Sequence, residues 1–98
     1  HLNALFDAAA LPAALTLRPW RPGDRLVPFG SRSPVKAKKL FTAAGVKAEE
    51  KAAVPMVCLE DDDILWIPGV KRSNRAPVTK TTANVVHCRA EKSGDITP

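Results

Sequence analysis

The 98-residue chain has only two cysteines, one methionine and five glycines, and no long uninterrupted apolar run. Cys58 and Cys88 are too few for a disulfide framework, and neither has a second cysteine or histidine at metal-ligand spacing. Both are expected reduced, as small apolar core residues, and no metal site is expected. Without about 18 consecutive apolar residues there is no candidate transmembrane helix, and the first residues lack the charged-then-apolar order of a signal peptide. A soluble, cytoplasmic protein with no membrane partner is expected. No glycine-rich phosphate loop is present, so nucleotide hydrolysis by this chain alone is not expected and no cofactor is assigned to it. His87 is the only internal histidine and sits beside Cys88 in a strand-like stretch, where neighbours point to opposite faces. A Cys58/His87 pair lacks a third group to orient the base. No catalytic residue is therefore assigned, and a small thiol hydrolase is disfavoured.

What the chain does have is positive charge in blocks. The formal net charge is +5. Residues 14–39 carry Arg18, Arg21, Arg25, Arg32, Lys36, Lys38 and Lys39 against Asp24 alone. Residues 71–92 carry Lys71, Arg72, Arg75, Lys80, Arg89 and Lys92 against Glu91. Between them, residues 47–63 set Lys47 and Lys51 against Glu49, Glu50, Glu60, Asp61, Asp62 and Asp63. If the fold brings the basic blocks together, the surface is bipolar, with arginine forks and lysine point charges on one face for a polyanion, RNA first among them. A non-catalytic interdomain or protein-interaction module that docks this basic face on an acidic partner is the alternative.

The length fits one domain. Residues 1–13 read as a first strand or the linker from a preceding region, residues 14–90 as the domain and residues 91–98 as a tail. Beginning at His1 with Leu2, Leu5 and Phe6 already in progress, the chain reads as a piece of something longer. Residues 14–18 alternate and stop at Pro19, a strand that delivers Arg18 to a sheet edge. Pro22-Gly23 fits the middle of a type II turn, with glycine supplying the positive φ. The resulting rigid loop presents Arg18, Arg21 and Arg25 to phosphates; in the architectural alternative Asp24 holds an arginine or a backbone amide and Trp20 packs as core. Ser33-Pro34 predicts a helix start and Gly45 its stop, with Ala37, Leu40, Phe41 and Ala44 as the buried stripe. Lys36, Lys38 and Lys39 then lie near the helix N-terminus, where they oppose the macrodipole and where free amides favour an anion. A short second helix is expected at 47–53. Residues 56–59 and 64–67 read as a hairpin whose turn, 60–63, is acidic and solvated, since it lacks the glycine and distal glutamate of a calcium loop. Residues 70–82 read as a basic loop after Pro68-Gly69, and 83–89 as a last strand that closes the sheet.

Taken in order, Leu15-Thr16-Leu17-Arg18-Pro19-Trp20-Arg21-Pro22-Gly23-Asp24-Arg25, Lys36-Ala37-Lys38-Lys39-Leu40-Phe41, Pro55 and Ile64-Leu65-Trp66-Ile67-Pro68-Gly69 resemble the C-terminal domain of bacterial tRNA(Ile)-lysidine synthetase. The resemblance runs from about residue 6 to 89. It implies an α+β fold, a small mixed-sheet, layered, barrel-like domain with two short helices, similar to one in the β subunit of phenylalanyl-tRNA synthetase. It also implies a parent ligase that uses ATP with magnesium to adenylate the wobble cytidine of tRNA(Ile), after which the amino group of free lysine displaces AMP. The family's catalytic centre is an N-terminal domain with a Ser-Gly-Gly-x-Asp-Ser loop; no such loop occurs here, so the fragment is expected to be inactive alone. The partners implied are tRNA(Ile), gripped at the acceptor stem, and that N-terminal catalytic domain. Carried onto this sequence, the RNA-binding residues are Arg18, Arg21, Arg25, Lys36 and Lys38, with Lys39, Arg72 and Arg75. The chain departs from the family pattern at Trp20, where another basic residue is common, and at Lys47-Ala48 and Lys51, where the family has more arginine.

Overall fold

The computed structural model describes residues 2–90. Its strands are β1 (Asn3–Asp7), β2 (Thr16–Arg18), β3 (Arg25–Leu26), β4 (Val35–Lys36), β5 (Met56–Cys58), β6 (Ile64–Ile67), β7 (Lys71–Arg72) and β8 (Val85–Arg89). One α-helix, α1 (Ala37–Ala43), and 3-10 helices at Ala8–Ala10 and Ala48–Ala53 complete the α+β architecture.

The sequences of β5 and β6 explain the layering. Met56-Val57-Cys58 and Ile64-Leu65-Trp66-Ile67 are buried at every position, as a strand covered on both faces must be. They form the middle of a four-stranded antiparallel sheet in the order β2-β5-β6-β7. On one side Val57, Leu59, Leu65 and Trp66 pack with Ala4 and Phe6 of β1. On the other, Met56, Cys58, Ile64 and Ile67 pack with Leu26, Ala37 and Phe41. The sheet is thus the middle layer, between the β1/β8 ribbon and the β3/β4 ribbon with α1. Phe6 and Phe41, both fully buried, anchor the two outer layers, and truncating either to alanine costs about 3–5 kcal/mol.

Several expected elements are present. The 56–67 hairpin forms, its turn closed by Leu59 N–H donating to Asp63 O at 2.8 Å. The second helix is the 3-10 segment Ala48–Ala53. Asp24 N–H donates to Arg21 O at 3.1 Å across Pro22-Gly23, with Gly23 at φ +92, the expected type II turn. At the helix end Gly45 has φ +79, and Val46 N–H and Gly45 N–H donate to Phe41 O and Thr42 O, a Schellman closure that stops α1 where glycine predicts.

Four expectations need correction. The helix starts at Ala37, not at Ser33-Pro34, because Val35–Lys36 pairs antiparallel with Arg25–Leu26; Ser33 N–H instead turns back to Ser31 Oγ. Ala44, expected in the buried stripe, is exposed as the C-cap. Lys71–Arg72, read as loop, is β7, paired with Trp66 and Ile67. The last strand does not close the central sheet: β8 pairs only with β1, from Asn3↔Arg89 to Asp7↔Val85. The expected tail, 91–98, lies outside the described residues.

Candidate nucleic-acid interface

The arginines of the basic blocks fall into two kinds, and neighbouring carboxylates and carbonyls decide which. Arg18 ends β2, an edge strand as expected, but its side chain turns inward and is 9% exposed. Its Nη1 and Nη2 form a fork to Asp24 at 2.9 Å each, Nη1 also donates to Pro19 O, and Nε donates to Asp62 Oδ1 at 2.8 Å. Asp24 raises the Arg18 guanidinium pKa above its ordinary value against the opposing effect of burial, and Asp62 adds to the rise. Burial alone would raise the Asp24 carboxyl, yet the Arg18 fork and the Arg21 N–H hold it below the ordinary carboxylate value. Asp24 also accepts from Ala37 N–H through its carbonyl at 2.9 Å. The Arg-Pro-Gly-Asp turn therefore ties β2 to the start of α1, which is the architectural role weighed for Asp24.

Arg72 is locked in a different way. Its guanidinium donates to Leu5 O, Ser73 O and Arg75 O and stacks between Phe6 and Phe29, 4.3 and 4.7 Å from the ring centroids. Burial lowers its pKa, but an arginine stays charged in a protein. It joins β1 to the loop after β7. Trp20 packs on the α1 side of the core with Lys51 Nζ 5.2 Å from its ring centroid.

The second kind is open. Arg25 and Lys36 are direct partners across the β3/β4 ribbon and both are exposed, so two like charges share one face. Such a pair destabilises the ribbon by a few tenths of a kcal/mol. Lys38 and Lys39 follow in the first turn of α1, which has no acidic residue, and with Lys36 they line an open depression of about 430 Å³. Arg25, Arg32, Asn74 and Arg75 line a separate groove of about 610 Å³. Arg25, Arg32, Lys36, Lys38 and Lys39 make no ion pair or side-chain hydrogen bond among the described residues. Arg32 is not among the residues carried over from the family, and its one signal in the sequence is membership of the first basic block.

Arg21 and Arg75 lie between the two kinds. Arg21 Nη1 reaches Asp62 Oδ2 at 3.1 Å, and Arg75 pairs with Asp63 and lies 3.9 Å from Asp61. The expected bipolar surface is therefore corrected. The fold does bring Arg25 and Arg32 of the first block to Arg75 of the second, but Asp63 of the β5/β6 turn lines the same groove and pairs with Arg75. The helix N-terminus is also less open to an anion than expected, since α1 has seven residues and the Ala37 N–H is already bonded to Asp24.

Among the described residues no cluster of three His, Cys, Asp or Glu side chains is placed to hold a metal ion.

Residues 15–88 match the family model described as "TilS substrate C-terminal domain". Curated proteins that this chain is similar to include tRNA(Ile)-lysidine synthases of Geobacter sulfurreducens (34% identical over 76% of this chain), Clostridium acetobutylicum (30% over 89%) and Geobacillus kaustophilus (37% over 68%). The chain spans 16%, 19% and 14% of their respective lengths. Among solved structures, the crystal structure of a TilS C-terminal domain superposes with TM-score 0.75 at 28% identity, over 92% of this chain and 72% of that one. An N-terminal fragment of the phenylalanyl-tRNA synthetase β subunit of Pyrococcus horikoshii superposes with TM-score 0.69 at 15% identity, over 87% of this chain and 26% of that one, a likeness of fold.

Proposed function

The chain belongs to the TilS substrate C-terminal domain family, and from that premise we propose that it is the tRNA-gripping domain of an ATP-dependent tRNA(Ile)-lysidine ligase. In this reading ATP, magnesium and lysine serve an N-terminal catalytic domain of the intact cytoplasmic enzyme. The present domain holds tRNA(Ile) at the acceptor stem, away from the reacting wobble base, and has no activity of its own. The observation that carries the reading is the Arg25↔Lys36 pair. Two unpaired cations held face to face on a two-residue ribbon work against folding, and a phosphate backbone converts that cost into binding. Lys38, Lys39 and Arg32 extend the same positive surface, and Arg21 and Arg75 flank it. Arg18 and Arg72, included by motif resemblance, support the surface from beneath by fixing the turn and the loop that carry their neighbours.

Binding of an isoleucine tRNA transcript, followed across a salt series, tests this. Affinity is expected to fall linearly in log K against log salt, with a slope set by the number of phosphates neutralised. Absent or salt-insensitive binding contradicts the reading, and failure of RNA to compete with an acidic protein partner would favour a protein-docking role.

A further inference from the structure

The acidic turn is placed where a polyanion surface would be weakest for it. Asp63 lines the same groove as Arg25, Arg32 and Arg75 while pairing with Arg75, and Asp62 pairs with Arg21, which is not part of that groove's lining. These contacts differ from the Arg18 lock. The side chains of Arg21 and Asp62 are 59% and 56% exposed, and those of Arg75 and Asp63 are 47% and 46% exposed, against 9% and 11% for Arg18 and Asp24. Exposed ion pairs are weak and exchangeable, and a phosphate oxygen accepts an arginine fork as well as a carboxylate does. Asp62 divides its oxygens, Oδ1 accepting from the buried Arg18 Nε and Oδ2 from the exposed Arg21, and the two-bond fork of Arg18 is made to Asp24, so the turn can give up Arg21 while Arg18 keeps its main partner.

We infer that Asp62 and Asp63 act as specificity-determining competitors of the RNA backbone: they occupy Arg21 and Arg75 until phosphates at both arginines displace them. The inference rests on the RNA-binding reading above. Its consequence is that RNA contacting only one of the two arginines gains little, because each phosphate bound there must first displace a carboxylate and then lie beside it. Casual polyanion binding is thereby suppressed, and an RNA that reaches both arginines is favoured.

The test is tRNA binding by Asp62→Asn, Asp63→Asn and the double variant, each across a salt series. Asparagine keeps the shape of both side chains, and at Asp62, where φ is +67, it is among the residues that tolerate a left-handed backbone. Each single variant is expected to bind roughly two- to fivefold tighter at low salt, with a slope steeper by about one per charge removed. Unchanged or weaker binding in folded variants, or an unchanged slope, overturns the inference while leaving the RNA-binding reading intact. If neither the native chain nor any variant binds RNA, the reading itself fails, and the inference with it. A urea midpoint for each variant verifies folding, and Asp63→Asn alone, which leaves Arg18 untouched, keeps the test decisive if the double variant unfolds.

Discussion

Arg18 and Arg25 stand in one basic block, on either side of one type II turn, and the fold uses them in opposite ways. Arg18 lies under the turn with its fork on Asp24. Arg25 projects from β3 with another cation opposite and makes no ion pair among the described residues. The difference teaches that a basic motif is not a list of ligands. One arginine holds the turn in place and the other is left open, as the proposed RNA grip requires, and charge counting alone does not separate the two.

The comparison breaks most easily at Asp24. Asp24→Ala leaves Arg18 buried without its main partner and frees the turn that anchors α1, and a loss of about 3 kcal/mol is expected in urea denaturation. Arg25→Ala, an exposed position, should stay within about 0.5 kcal/mol of the native chain. If the two variants lose similar stability, the division between locked and open arginines is wrong.

Acid sharpens the same contrast. Because the Asp24 carboxyl is held below its ordinary value, its contribution is complete above an unfolded-state pKa of about 3.9 and is lost as pH falls from there toward the lower folded value. The native urea midpoint is expected to drop steeply below about pH 4, and the midpoint of Asp24→Asn to drop less steeply over the same window. Parallel curves would remove Asp24 as the group responsible.

On the open side, Arg25→Glu should weaken tRNA binding by about tenfold or more at low salt and flatten the salt slope by at least one, with secondary structure unchanged by circular dichroism. The smallest expected effect on tRNA affinity is at Gly23. A Cβ there meets nothing within 4 Å, so Gly23→Ala pays only for its positive φ, about 1 kcal/mol, and should leave tRNA affinity nearly unchanged once the chain is folded. A large loss of affinity would mean that turn geometry, and not charge, dominates binding.

Parts of this division were legible in the sequence. The apolar runs at 56–59 and 64–67 around four acidic residues specify their hairpin, because no other placement buries both strands. Pro22-Gly23 and Gly45 specify a turn and a helix end through φ alone. The helix start was not legible, since Ser33-Pro34 caps a helix only if no strand claims Val35 and Lys36, and β3 claims them. Nor was β7, because Lys71 and Arg72 carry no apolar alternation and become a strand only by pairing with Trp66 and Ile67. Within the site, the basic blocks were visible but the orientation of each guanidinium was not. Arg18 and Arg72 are locked by Asp24, Asp62, Leu5 and Phe6, partners that tertiary structure alone brings to them. The resemblance to TilS C-terminal domains agrees with the family match over residues 15–88, yet motif identity does not report which of its arginines face solvent.

The most direct test of the central claim, that the open cations hold RNA and the locked ones hold the fold, is the salt slope of tRNA binding for the double variant Arg25→Ala/Lys36→Ala, measured beside its urea midpoint. The expected result is a slope reduced by about two with a midpoint equal to or slightly above that of the native chain, since a repulsive pair has been removed. A native slope, or a midpoint lowered as far as that of Asp24→Ala, would contradict it.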